Sequence, residues 1–231
     1  MDHIFGIEYH RVPEERDRPA RMAELAEALK ARGCVPYIIP GGGSNGVGAL
    51  GYVAAMLELN YQLWEQGISP SAYYLPNGGG GTQAGVALGA AIYGSDYQVR
   101  GIMIEDNAAI GSERSWKIVQ QTAARLGIAC PLIKDDIICV DGFVGDAYAV
   151  PTAEGLDAIR LLARTEAILL EPVYSAKAFA GMLAEIQSGM YSPGESVIFL
   201  HTGGTAALFA MTGELAPILD GKEGPQRNAT L

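Results

Sequence analysis

The stretch AYYLPNGGGGTQAGVALGAAI, residues 72–92, decides how this chain folds. Ala72 to Leu75 is an apolar run of strand type, Asn77 to Gly85 contains a run of glycines, and Val86 to Ile92 is apolar at helical length. A glycine run between a strand and a helix is a place where backbone amides can hold a phosphate. Glycine permits close approach and positive φ, while the helix N-terminus adds unpaired N–H donors and the positive end of its dipole.

The pattern continues outward from this unit. Met22, Leu25, Ala26 and Leu29 form an apolar stripe stopped by Gly33, which predicts an amphipathic helix. Residues 34–40 read as a short β-rich segment, and the glycine-rich residues 41–52 open a long helix running to Gly67. Beyond it the spacing predicts a strand at 72–75, a helix at 82–93, a strand at 98–104 and a helix at 113–126 closed by Gly127. Further strands are expected at 137–140 and 197–201, with helices at 153–165 and 176–188. Strands alternating with helices imply an α/β fold of open, mostly parallel sheets flanked by helices. No repeat, heptad or inter-domain linker interrupts it.

Composition narrows the function. With 231 residues and 49% hydrophobic content the chain can bury a proper core. A net charge of −10, from 16 basic against 26 acidic residues, argues against nucleic acid or an anionic membrane as partner. Cys34, Cys130 and Cys139 are widely spaced, with no CxxC and no histidine at ligand spacing, so neither a disulfide framework nor a zinc site is suggested. The N-terminal residues carry acids early and no signal-type apolar core, and the expectation is a soluble, cytoplasmic protein.

In an open parallel sheet, ligands bind beyond the carboxyl ends of the strands. Gly41 to Asn45, Gly78 to Thr82, Gly145 to Tyr148, Tyr174 and Thr202 to Gly204 all fall there. A Walker loop fails because Thr82-Gln83, and not Lys-Ser or Lys-Thr, follow the last glycine of the run. A dinucleotide fingerprint fits only as Gly79, Gly81 and Ala84, with Glu105 a weak ribose partner. A bare phosphate on a cofactor, held by the Gly78–Gly81 amides and the Thr82 hydroxyl, needs neither companion. The plainer readings are tight turns for the glycines, half-buried tyrosines at 148 and 174, a packed strand residue at His201, and solvated carboxylates at Glu105-Asp106 and Asp135-Asp136.

Four segments in order carry a resemblance: IPGGGSNGVGALGY (39–52), GGGGTQAG (78–85), LLARTEAILLEPVYSAKAFAGM (161–182) and VIFLHTGGTAALFA (197–210). The chain resembles, from its first residues to about Leu215, the D-cysteine desulfhydrase and 1-aminocyclopropane-1-carboxylate deaminase family of pyridoxal-phosphate enzymes. The resemblance implies the tryptophan-synthase-β-like fold, two α/β domains with the cofactor between them. It divides the chain into a remainder of the smaller domain at 1–60, the larger domain at 61–231, and a flexible tail at 220–231.

It also assigns roles. Gly78, Gly79, Gly80, Gly81 and Thr82 match the phosphate cup of pyridoxal 5'-phosphate, with glycine at 79 where a serine is common. Thr202 matches the residue facing the pyridine nitrogen, and Tyr148 and Tyr174 match two active-site tyrosines that contact substrate or assist proton transfer. Ser175 stands where the deaminases carry glutamate and the desulfhydrases commonly threonine, and with Thr202 also of desulfhydrase type the resemblance favours α,β-elimination from a small amino acid over ring opening. The family's Schiff-base lysine, in a GGNKxRK context, and its SxxSNxxR segment match nothing in these 231 residues. The expectation is therefore an N-terminally truncated or split enzyme, inactive alone, whose lysine comes from a longer chain or a second polypeptide. A homo-oligomer is expected, and a non-catalytic phosphate-ligand-binding or interaction subunit is the competing reading.

Overall fold

The computed structural model describes residues 4–14, 17–213 and 215. The expected tail at 220–231, His3 and Lys222 lie outside the described residues. The chain divides into two compact units, one up to Gly43 and one from Ser44 onward. In the first, the apolar stripe forms helix α1, Arg18–Ala31, with Pro19 in its first turn, where the missing N–H costs nothing. Residues 34–40 form no strand: among the described residues no neighbour supplies a hydrogen-bonding ladder, and Val35 and Tyr37 stand exposed.

The second unit is built on four strands, β1 (Pro70–Asn77), β2 (Gln98–Met103), β3 (Ile138–Val140) and β4 (Ser196–Phe199). They lie in the order β3-β2-β1-β4, and every pairing is parallel. The helices are α2 (Leu50–Gln66), α3 (Gly81–Ile92), α4 (Ala108–Leu126), α5 (Ala153–Glu166), α6 (Ser175–Gln187) and the short α7 (Ala206–Ala210). Helix α4 begins earlier than its apolar spacing suggests, because the Asn107 side chain accepts the Ile110 amide at 3.1 Å and caps it there. Among the described residues, no helix is long and apolar enough to cross a membrane.

Strand β1 shows how the core is divided. Side chains alternate across a strand, so Tyr73 and Leu75 join one hydrophobic cluster with α2, α3 and α4, while Ala72 and Tyr74 join another with α5 and α6. The sheet is thus covered on both faces, which is why β1 reads as a continuous apolar run. Helix α3 is buried along Gln83–Ala90, and glycines let α2 approach it closely. A Cβ at Gly85 would lie 2.6 Å from Tyr52 Cβ, and one at Gly89 would lie 2.8 Å from Met56 Cγ.

Under the second face, Arg100 on β2 grips Glu185 of α6 with two bonds, Nε at 2.8 Å and Nη2 at 2.6 Å. The same carboxylate accepts the Tyr74 hydroxyl, which also meets Tyr191. Burial, followed by these hydrogen bonds, pushes the Tyr74 hydroxyl far above its ordinary ionisation range; burial does the same at Tyr73 beside Tyr97. The unfolded chain releases these protons near pH 10 and the fold does not, so their contribution is complete below pH 10 and is lost as pH rises beyond it. In an alkaline titration we expect their tyrosinate absorbance to appear only together with loss of the helical circular-dichroism signal. Full tyrosinate absorbance over an intact helical signal would contradict this.

Candidate functional site

Strand β1 ends at Asn77 and the chain turns through Gly78–Gly80 into α3. Gly80 makes the turn at φ 81°, and a Cβ there would lie 2.9 Å from Ser115 Oγ and 3.1 Å from Ser115 N. Only glycine fits both the angle and the space. No side chain caps this helix start. Among the described residues no protein group accepts from the amides of Gly79, Gly80, Gly81 or Thr82, which leaves these donors for a ligand.

The loop is fixed from two sides. Below it, buried Asn77 donates to Gln83 Oε1, to Ser115 Oγ at 3.2 Å and to Cys139 Sγ at 3.4 Å, while Gln83 Nε2 donates to the Ile138 carbonyl at 2.7 Å. Burial pushes the Cys139 thiol up to about 11, so it stays a neutral member of this network. Beside the loop, Arg114 Nη1 donates to the Gly78 carbonyl at 2.7 Å and to Glu105 Oε1 at 2.8 Å, and Nη2 to Asp106. Glu105 and Asp106 are therefore partners of an arginine. Among the described residues no group of three metal-ligating side chains comes together.

The tyrosines stand on the same rim. Tyr174, at the N-terminus of α6, brings its ring beside the loop, with Cε1 3.7 Å from where a Cβ on Gly78 would sit. Tyr148 reaches it from the 141–150 loop: the hydroxyls are hydrogen-bonded and the rings meet edge-on at 5.9 Å. Burial, then the Tyr148 hydrogen bond, raises the Tyr174 hydroxyl well above its usual range, so Tyr174 is protonated at neutral pH. Both rings keep solvent access, 46% for Tyr148 and 37% for Tyr174.

Two buried charges, Glu171 and Lys177, hold these tyrosines. Glu171, 1% exposed, accepts the amides of Val173 at 2.8 Å, Tyr174 at 2.7 Å and Ser175 at 2.6 Å, which fixes the start of α6. Ser175 is fully buried and its hydroxyl turns to Glu171 at 3.2 Å, so it supports Tyr174 from beneath. Lys177, one turn into α6 and 0% exposed, donates to the carbonyls of Val144 at 2.6 Å and Ala147 at 3.2 Å, tying down the loop that carries Tyr148. Burial lowers its pKa, with Glu171 acting in the opposite direction. The motif YSAK at 174–177 thus has a structural reading: the tyrosine faces the rim and the lysine anchors its partner's loop.

Thr202 lies past the end of β4, exposed, on the edge strand beside β1. Its neighbour His201 is committed to structure, with Nδ1 accepting the Gly203 amide at 3.0 Å and Nε2 against the Leu169 carbonyl at 2.8 Å. Those two bonds assign the neutral tautomer with the proton on Nε2. A Cβ at Gly204 would lie 2.7 Å from Glu171 Cγ, so the 202–204 turn packs on the residue that fixes Tyr174. Contacts therefore link Gly78, Tyr174, Glu171 and Gly204, and link Tyr174 to Tyr148. A separate hollow of about 740 Å³ between α5 and α6, lined by Arg160, Leu161, Arg164 and Leu183 among others, contains none of these residues.

Comparison with known proteins places this geometry in context. Residues 1–203 match the family model described as "Pyridoxal-phosphate dependent enzyme". The chain is 37% identical over 207 residues to D-cysteine desulfhydrase of Yersinia pestis (strain Pestoides F), covering 90% of this chain and 62% of that protein. It matches the D-cysteine desulfhydrase of Yersinia pseudotuberculosis serotype I (strain IP32953) to the same extent. The chain therefore spans less than two thirds of the length of these relatives. Among solved structures, an ACC deaminase homologue superposes with a TM-score of 0.83 at 30% identity, over 94% of this chain and 65% of that one. O-ureido-L-serine synthase, at 16% identity and a TM-score of 0.58 over 98% of this chain and 66% of that one, shares the fold.

Proposed function

The chain belongs to the pyridoxal-phosphate-dependent enzyme family, and on that premise we propose that it is the larger part of a lyase of D-cysteine desulfhydrase type. The reaction is α,β-elimination from a small amino acid, giving a 2-oxo acid, ammonia and sulfide. The observation that carries the reading is the shared rim: free amides of Gly79–Thr82 and the Tyr148–Tyr174 pair meet beside Gly78. The residues fit a phosphorylated cofactor because these donors have no protein acceptor among the described residues and the cup rests on buried hydrogen bonds from Asn77 to Gln83 and from Gln83 to the Ile138 carbonyl.

Pyridoxal phosphate supplies, when bound, the electron sink for breaking bonds at the substrate's α-carbon. This chain's own groups do the rest. The amides of Gly79–Thr82 and the Thr82 hydroxyl would hold the phosphate. Thr202 would offer the ring nitrogen a neutral hydroxyl, and so a milder sink than a carboxylate would set. Tyr148 and Tyr174, both solvent-accessible, orient the substrate and pass a proton at their hydroxyls. Lys177 is spent on two carbonyls and does not serve as the cofactor's lysine. That lysine is supplied from outside these 231 residues, by a longer chain or a second polypeptide, and the assembled enzyme is a homo-oligomer in the cytoplasm. The likeness to an ACC deaminase homologue supports ring-opening deamination as the second reading.

Incubation with pyridoxal phosphate and D-cysteine tests this. The chain alone should release no sulfide, and borohydride should fix no cofactor onto its lysines. Joined to a family segment bearing the GGNK motif, it should release sulfide and pyruvate from D-cysteine. Sulfide from the chain alone would overturn the assignment of the lysine. A joined protein inert toward D-cysteine but active on 1-aminocyclopropane-1-carboxylate would favour the second reading, and one inert toward both would favour a non-catalytic subunit.

A further inference from the structure

The cup contains a hydroxyl that its glycine run does not supply. Ser44 belongs to the turn that leads into α2, more than thirty residues before the cup in sequence, yet it is seated directly against the glycines. A Cβ on Gly81 would lie 3.0 Å from Ser44 Cα and 3.1 Å from its Oγ. A Cβ on Gly79 would fall inside the 3.0 Å that real Cβ atoms keep from Ser44 Oγ. The serine hydroxyl therefore stands where the side chain of residue 79 would begin. Among the described residues this hydroxyl has no hydrogen-bond partner, and it is half-buried. Its neighbours hold the backbone in place: Asn45 Oδ1 accepts the amides of Val47 at 3.0 Å and Gly48 at 2.9 Å, and Gly46 N donates to Gln121 Oε1 at 3.3 Å on α4.

We propose that Ser44 is a ligand of the phosphate group, its hydroxyl donating beside the amides of Gly79–Thr82. A fixed, unpartnered hydroxyl at the mouth of a set of unpaired N–H donors is suited to an acceptor with several oxygens. Gly79 and Gly81 lack side chains because Ser44 fills the space theirs would take. The inference rests on the cofactor reading above and adds a specific donor to it.

The test titrates the full chain calorimetrically with pyridoxamine 5'-phosphate, which has no aldehyde to react with surface lysines, and with pyridoxamine, which lacks the phosphate. S44A should bind pyridoxamine 5'-phosphate about tenfold more weakly, the scale of one hydrogen bond to a charged group. Its melting temperature and its weak binding of pyridoxamine should be unchanged. G79S alone, which drives a second side chain against Ser44, should also weaken binding. The pair S44A/G79S should bind more tightly than either, because one hydroxyl again stands over the cup with space to fit. An S44A chain that binds as tightly as the native one, or a pair no tighter than its parents, overturns the role of Ser44 and leaves the cup intact. A native chain that binds pyridoxamine 5'-phosphate no better than pyridoxamine overturns both.

Discussion

Replacing Glu171 with alanine should lower stability by roughly 3–5 kcal/mol, the scale for removing one partner of a buried charged network. The carboxylate accepts the amides of Val173, Tyr174 and Ser175 and the Ser175 hydroxyl, at distances between 2.6 and 3.2 Å. Without it, the three amides lose their acceptor, and water has little access because Glu171 is 1% exposed. Gly204, packed on the Glu171 side chain, loses its support as well. For a domain of this size the loss corresponds to a melting-temperature drop of about 10 °C. Glu171→Gln keeps the shape and one acceptor oxygen, so it should fall between the two. Thermal unfolding followed by circular dichroism decides the point: an alanine variant within about 1 °C of the native chain, a small fraction of the expected loss, would mean that the carboxylate carries no weight.

The second large effect concerns the cup. Gly80→Ala should reduce affinity for a phosphorylated pyridoxal compound by about 100-fold, equivalent to roughly 2.8 kcal/mol. Two causes add. An L side chain at φ 81° is strained, and its Cβ would meet Ser115 Oγ at 2.9 Å and the Ser115 backbone at 3.1 and 3.3 Å. Backbone atoms cannot rotate away, so the loop itself must shift and its amides must diverge. Gly94→Ala separates the causes: its φ is also positive, at 69°, but nothing lies within 4 Å of the added atom. That variant should cost about 1–2 kcal/mol of stability through strain and leave binding unchanged. Equal binding by the native and Gly80→Ala chains would remove the cup from the account.

Much of this architecture is legible in residues 72–92, because each local choice there agrees with the fold. An apolar run too short for a helix, a glycine run and a small-residue helix leave few alternatives. The same logic fails at residues 34–40, where β-rich composition has no partner strand among the described residues. Strand formation depends on a neighbour, and neighbours are not written locally. Helix α4 starts at Ala108 because of one cap, Asn107, which the weak apolar pattern of AAIG hides.

The supports of the site were hardest to read. Glu171, Lys177 and Arg114 are charged residues, and a charged residue in sequence defaults to solvent. Their burial follows from tertiary contacts: Lys177 reaches carbonyls 33 and 30 residues away, and Arg114 reaches back to Gly78. Tyr148 and Tyr174 stand apart in sequence but share a hydrogen bond because those anchors bring their elements together. Ser44 falls on the rim with its glycine-rich turn, but its contact with the cup is not written in the sequence. A serine in a glycine-rich turn looks like ordinary turn chemistry until the glycines it covers are seen.

The central claim is that the amides of Gly79–Thr82 hold the phosphate of pyridoxal phosphate, and amide NMR of the isotopically labelled chain tests it most directly. On titration with pyridoxamine 5'-phosphate, the account predicts that the largest shifts fall on the amides of Gly79, Gly80, Gly81 and Thr82, and that pyridoxamine moves none of them comparably. Shifts that leave these four amides in place while others respond, or equal responses to the two compounds, would contradict it.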